Sequence, residues 1–379
     1  MVKKITYLSL EGITSTVFNS QVYELLDSKI SEKNDVTLVL LQPLNARLNR
    51  HNLNRLIKLK RNKKFKVSII PYIGFKNKFS FFNALIFTFI FKINYLFEKN
   101  ERIVHCRGQE ATYLAISLKK VFRNIKILSD IRGVPSDEFK GINNKRSRYF
   151  EEIDEKIFKY NINNVSWFNF VSKVLERYYS HSNIGFSEIP CFAKVQCEKS
   201  LKCREYINVL YVGGQQHYQN IDKIPQVLDK ITNTNIKLTL CLNGSRNMGL
   251  ENILNRSKYN CEFKYNLSAA ELDKIYHECN VGIIIRDNKL LNMVASPVKI
   301  SEYFSKGLYL IMVGEVGDFY NDILSDSRLG IAFHNLSSIE DFMLDEEIIN
   351  SKYDVRIEYS KKFSKDKCID DYERIYDLI

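Results

Sequence analysis

From Val36 to Phe97 the chain contains no aspartate and no glutamate. The tract 47–66, R-L-N-R-H-N-L-N-R-L-I-K-L-K-R-N-K-K-F-K, lies inside that gap. Residues 1–150 hold 28 Lys+Arg against 11 Asp+Glu, a net of +17; the whole chain is +12, so the remainder is −5. Such a surface suits anionic lipid, a pyrophosphate-linked acceptor or nucleic acid, and a solvated lysine-rich helix face is the plainer explanation. Nucleic acid is disfavoured, because the basic tract carries no recognised motif and no regularly interleaved stacking aromatics.

Other absences narrow the class. The eight cysteines form no Cys-x-x-Cys pair. Cys191, Cys197 and Cys203 are evenly spaced but have no matching histidine cluster, so no metal site is expected and reduced thiols of a cytoplasmic protein are. No Asp-x-Asp occurs, which argues against a bound divalent ion. No secretory leader is expected, since Met1-Val2-Lys3-Lys4 runs directly into an apolar strand. The tract 79–97 is nearly long enough to span a bilayer, but Asn83, Lys92 and Asn94 interrupt it, and a buried or surface-docked helix is expected instead. No internal repeat or low-complexity tract is evident. At 379 residues two domains are expected.

The stretch that organises the rest is 286–312, R-D-N-K-L-L-N-M-V-A-S-P-V-K-I-S-E-Y-F-S-K-G-L-Y-L-I-M. An apolar run, 281–285, ends at Arg286 and reads as a buried strand. A polar loop follows, and Pro297 suits the first turn of a helix. Lys299 and Glu302 then share one face, Lys306-Gly307 stops the helix, and 308–313 is the next strand. The helix start offers free N–H groups and partial positive charge to an anion. Glu302, a turn further in, can accept two hydrogen bonds from a vicinal diol. A phosphate beside a ribose fits both.

Apolar runs predict further strands at 5–10, 36–41, 65–72, 102–105, 125–128, 165–171, 186–190, 207–212, 236–242, 261–265 and 331–333, with helical segments between most of them. A single helix is expected over 17–30, and a capping box at Ser268-Ala269-Ala270-Glu271 opens another. This alternation implies α/β architecture with parallel, doubly wound sheets, whose ligands sit beyond the carboxyl ends of the strands. That rule places Gly12 and Ile13 in the first loop, with His105, Arg107, Asp130 and Arg132 along one rim. Asp130 and Arg132 read equally as an internal ion pair or as ligand groups, and His105 more readily as structural. Gly213, Gly214 and Gln215 follow the first strand of the second half, where paired glycines permit close approach to phosphates.

The segment Ser296-Pro297-Val298-Lys299-Ile300-Ser301-Glu302-Tyr303-Phe304-Ser305-Lys306-Gly307-Leu308 resembles the nucleotide-sugar motif of GT-B glycosyltransferases, especially glycosyltransferase family 4. Asp130-Ile131-Arg132-Gly133 resembles members that build bacterial surface polysaccharides. The resemblance implies two Rossmann-like domains facing each other across a cleft. It implies an acceptor domain at 1–190, a linker at 191–206, a donor domain at 207–360 and a final helix, 361–379, crossing back. Donor contacts would come from Gly213, Gly214, Gln215, Arg286, Ser296, Pro297, Val298, Lys299 and Glu302, with Glu302 on the ribose. Gly12 and Ile13 would approach phosphate or acceptor, and His105, Asp130 and Arg132 would serve the reacting centre. The chain departs from the family in two places. Val294 stands where a second Glu is common, and the Arg and Lys usual after the glycine turn are missing; Lys223 is the first candidate beyond it, with Arg286 and Lys299 as the alternative source of positive charge.

The activity implied is transfer of a sugar from a nucleotide diphosphate sugar to a growing, lipid-linked surface glycan. Retention of configuration is implied too, with no metal and no cofactor beyond the donor substrate. The expected partners are donor, glycan or lipid-linked acceptor, and anionic lipid at the inner face of the cytoplasmic membrane. Two readings of other classes stand beside it: a nucleotide-sugar epimerase or hydrolase of the same fold, and a non-catalytic protein that binds anionic surfaces.

Overall fold

The computed structural model describes residues 2–13, 15, 17–43, 50–72, 86–91, 101–119, 121–122, 124–134, 137, 156–179, 184–193, 206–232, 235–351 and 353–379. They form two compact units, Met1–Pro190 with Asp366–Ile379, and Cys191–Lys365. The expected linker at 191–206 and the helix expected over 79–97 fall largely outside the described residues. Of the latter, residues 86–91 are helical, with Phe87 and Phe91 buried and Phe89 exposed. Among the described residues no helix is long and apolar enough to cross a membrane.

The first unit holds β1 (Lys4–Ser9), β2 (Asp35–Pro43), β3 (Lys66–Tyr72), β4 (Arg102–Arg107), β5 (Ile125–Ile131), β6 (Trp167–Phe170) and β7 (Phe186–Glu188), in the order β3-β2-β1-β4-β5-β6-β7. The second holds β8 (Ile207–Gly213), β9 (Ile236–Leu242), β10 (Asn260–Tyr265), β11 (Val281–Ile285), β12 (Tyr309–Val313) and β13 (Gly330–Phe333), in the order β10-β9-β8-β11-β12-β13. All pairings are parallel. The strand order reverses direction between β1 and β4 and again between β8 and β11, the points where such sheets open a crevice for ligands.

The inner strands are apolar on both faces because helices cover both. β11 and β12 are buried at every position. Alternation across β8 shows the two layers: Val209 and Tyr211 enter one core cluster, Leu210 and Val212 the other. The helix expected over 17–30 runs through Phe18–Tyr23, which is π-helical, into Glu24–Leu26, and is then interrupted before Lys29–Lys33. Ser28 is the cause, since its hydroxyl accepts from the Ile30 N–H and caps the last piece.

The last helix, Lys365–Leu378, belongs to the first unit. Its buried side chains are Cys368, Ile369, Tyr372, Ile375 and Tyr376, one stripe of an amphipathic helix. Lys3, Lys29 and Lys33 pair with Asp377, Asp370 and Glu373 along its edge.

Candidate functional site

The organising stretch folds as a strand, a loop and an eight-residue helix, Val298–Ser305. The loop is not wholly irregular: Leu290–Met293 forms one helical turn. Pro297 is the N-cap residue rather than the first helical one, and extended there (φ −67°, ψ 125°) it contributes no side-chain cap. Among the described residues the Val298 and Lys299 N–H groups have no partner, while the Ile300 N–H donates to the Pro297 carbonyl (3.1 Å). The far end closes firmly. Gly307 (φ +71°) donates to the Phe304 carbonyl and Leu308 to the Tyr303 carbonyl, a Schellman closure that demands glycine. A Cβ on Gly307 would also run into the Tyr353 ring.

Two cations converge on the turn after β8. Arg286, 6% exposed at the end of β11, donates to the Tyr218 carbonyl (3.2 Å) and lies 5.4 Å from the Tyr218 ring centroid. The Lys299 ammonium donates to Gln219 Oε1 (2.9 Å), and lies 3.4 Å from the Tyr211 hydroxyl and 4.6 Å from that ring's centroid. Among the described residues no carboxylate pairs with either cation. Burial holds the Lys299 pKa well below the lysine range, the nearby Arg286 charge pushes the same way, and Glu302 opposes. Burial likewise lowers Arg286. A buried and a half-buried positive group with no carboxylate in contact are costly unless an anion joins them.

Glu302 is partly buried one turn into the helix. Tyr276 donates to its Oε2 (3.0 Å), and among the described residues none donates to Oε1. Burial raises its pKa, while the Tyr276 hydrogen bond and Lys299 work against that shift. Gly213 lets Lys299 reach the turn: a Cβ there would stand 2.5 Å from Nζ. Gln215 donates to the carbonyls of Asn243 (3.1 Å) and Ser245 (2.9 Å), tying two strand-end loops together. Ser296 accepts from the Cys191 N–H (3.2 Å) and is buried, so its hydroxyl serves the fold. Val294, where the resembled family often has a second Glu, is fully buried core.

In the first unit His105, Asp130 and Arg132 lie together. His105 has no exposed surface. Its Nδ1 lies 2.7 Å from the Tyr376 hydroxyl and its Nε2 3.4 Å from Asp130 Oδ2. Burial lowers its pKa despite Asp130, so the neutral ring accepts from Tyr376 and turns Nε2–H toward the carboxylate. Asp130, also unexposed, receives Arg132 Nε (2.8 Å) and the Asn169 amide (2.6 Å). Arg132 and the neighbouring His105 and Arg107 keep its pKa well below the carboxylate range, against burial. Arg132 is spent on Asp130, the Ile189 carbonyl and Tyr372. Asp130 and Arg132 thus form an internal ion pair, and His105 is enclosed beside them. Gly12 stands exposed in open space, while Ile13 is buried and its carbonyl accepts from Arg55 (3.1 Å), so the Ile13 side chain is core.

Four groups of the second-unit site escaped the sequence reading: Tyr211, Tyr218, Gln219 and Tyr276. Only the glutamine-rich turn after β8 hinted at one of them. Together the site offers two cations and a helix start for a diphosphate, with a half-free carboxylate for a diol alongside.

A sheet order reversing beside that site, repeated in two parallel α/β units, defines the GT-B fold of glycosyltransferases. The comparisons agree on the fold. Sucrose-phosphate synthase from Thermosynechococcus elongatus matches with a TM-score of 0.69 at 13% identity, covering 99% of this chain and 98% of that one. The lipopolysaccharide outer core galactosyltransferase WaaB matches with 0.70 at 11% identity, covering 99% and 100%. HepE from Anabaena, solved with UDP and glucose, matches with 0.67 at 9% identity, covering all of both chains. No protein-family model and no curated protein matches.

Proposed function

We propose that this protein is a glycosyltransferase that takes its sugar from a nucleotide diphosphate sugar. The observation that carries the reading is the pair of carboxylate-free cations, Arg286 and Lys299, beside the open start of the Val298–Ser305 helix. In this reading they hold the diphosphate and stabilise negative charge as it departs. Glu302 Oε1 accepts from a ribose hydroxyl while Tyr276 fixes the carboxylate. Gly213 and Gly214 bring the turn after β8 close to the phosphates. The acceptor is a growing lipid-linked surface glycan, and the basic first unit keeps the protein at an anionic membrane face. Retention at the transferred sugar follows the family resemblance.

The test is thermal stabilisation across UDP-, GDP-, ADP-, TDP- and CMP-sugars. A ligand at a hundred times its dissociation constant adds about 2.7 kcal/mol to the folded state. One donor class is expected to raise the melting midpoint, and Glu302→Ala to abolish transfer and most of that rise. Failure of all five classes sinks the proposal. Donor consumption with no acceptor present favours an epimerase or hydrolase.

A further inference from the structure

The resembled family places Arg and Lys on the turn after the first strand of its donor domain. Here that turn reads Gly213-Gly214-Gln215-Gln216-His217-Tyr218-Gln219. Its side chains are neutral apart from His217, and a neutral side chain receives the cation. Gln219 is 6% exposed. Its Oε1 accepts from the Tyr211 hydroxyl (2.9 Å) and from Lys299 Nζ (2.9 Å). Tyr211, 1% exposed, also lies 3.0 Å from the Gly214 carbonyl, so the phenol links strand β8 to its own turn. The Lys299 stem approaches over Gly213, where any side chain would block it.

An amide oxygen and a carboxylate oxygen fill nearly the same space but differ by one charge. A carboxylate here would form a close ion pair with Lys299 and cancel the charge the site presents. An amide holds the ammonium in place and leaves the charge available. We infer that Gln219, braced by Tyr211, is a positioning residue that holds Lys299 in place without neutralising it, so that its charge remains for the donor diphosphate. This rests on the nucleotide-sugar reading and deepens it. Gln219 touches the cation rather than the substrate.

The experiment compares wild type, Gln219→Glu and Gln219→Met by thermal melting and calorimetric titration, with inorganic pyrophosphate and the nucleoside diphosphates as probes. Gln219→Glu is expected to melt higher than wild type without ligand, because it gains an ion pair. Its diphosphate affinity is expected to fall at least tenfold at neutral pH, and to recover as pH drops into the range where the introduced carboxylate protonates. Gln219→Met keeps the packing without the acceptor; it is expected to bind more weakly than wild type and to show no acid recovery. A purely structural glutamine predicts lower melting for both variants and no pH signature. Equal diphosphate affinity in wild type and Gln219→Glu overturns this inference alone. A wild type that binds none of the probes overturns both it and the transferase reading.

Discussion

Arg356 is fully buried without a carboxylate in contact. Its guanidinium donates to the carbonyls of Gly307 (2.6 Å), Arg328 (3.0 Å), Ile348 (3.2 Å) and Ile349. Burial pushes its pKa down to about 10. The residue gathers the carbonyl just beyond the donor helix and those of three other positions around one planar group. Arg356→Met keeps the bulk and strands those acceptors. We expect a loss of about 3 kcal/mol in urea unfolding, since each buried unsatisfied acceptor costs roughly 1–3 kcal/mol, with nucleotide binding retained in the folded fraction. The donor helix also shows which residues a sequence discloses. Pro297, Lys299, Glu302 and Gly307 were legible because capping, helical spacing and termination are local rules. Tyr276 and Gln219 were not, because they meet the helix from 26 and 80 positions away. The surroundings of His105 were hidden for a related reason: strand-end position is visible in sequence, but the Tyr376 that encloses it lies 271 residues on.

At the scale of elements, apolar runs between turn residues located the thirteen strands found among the described residues, with most ends shifted by a few residues. Parallel strands buried on both faces advertise themselves in this way. Helices were less regular, as the break at Ser28 shows. The Arg50–Lys60 helix carries the basic tract. It buries Leu56 and Leu59 and exposes Ile57 and Lys58, with Arg61 exposed just past its end. Among the described residues Lys58, Lys60, Arg61 and Lys63 pair with no carboxylate. An apolar side chain ringed by free cations suits the headgroup layer of an anionic membrane. Each basic side chain near such a surface contributes about 1 kcal/mol, so Lys58→Gln with Arg61→Gln should weaken binding to phosphatidylglycerol vesicles roughly 30-fold. Co-sedimentation at rising salt measures this, and nucleotide-dependent melting should not change. Equal sedimentation with neutral vesicles would refute the electrostatic account.

For the whole molecule, acid sensitivity follows from the interior of the first unit. Burial lowers the pKa of His105 in the folded state. An unfolded histidine takes its proton near pH 6.5, so below about that value the unfolded chain binds more protons and stability falls until the buried ring titrates too. Asp130 has the opposite origin and the same direction. Its folded pKa is depressed, so its contribution is complete above about 3.9 and is lost as pH falls further. Urea midpoints should therefore decline from about pH 7 to 5 in wild type. His105→Gln should be less stable at neutral pH but should lack that first slope.

The helix that encloses this interior is far from it along the chain. Residues 366–379 complete the first unit, yet they are synthesised only after 191–365. Until then the earlier-made sheet holds His105 without its Tyr376 partner. The first unit thus cannot be finished before the second has been translated, and its half-made interior depends for that time on protection from other nascent chains.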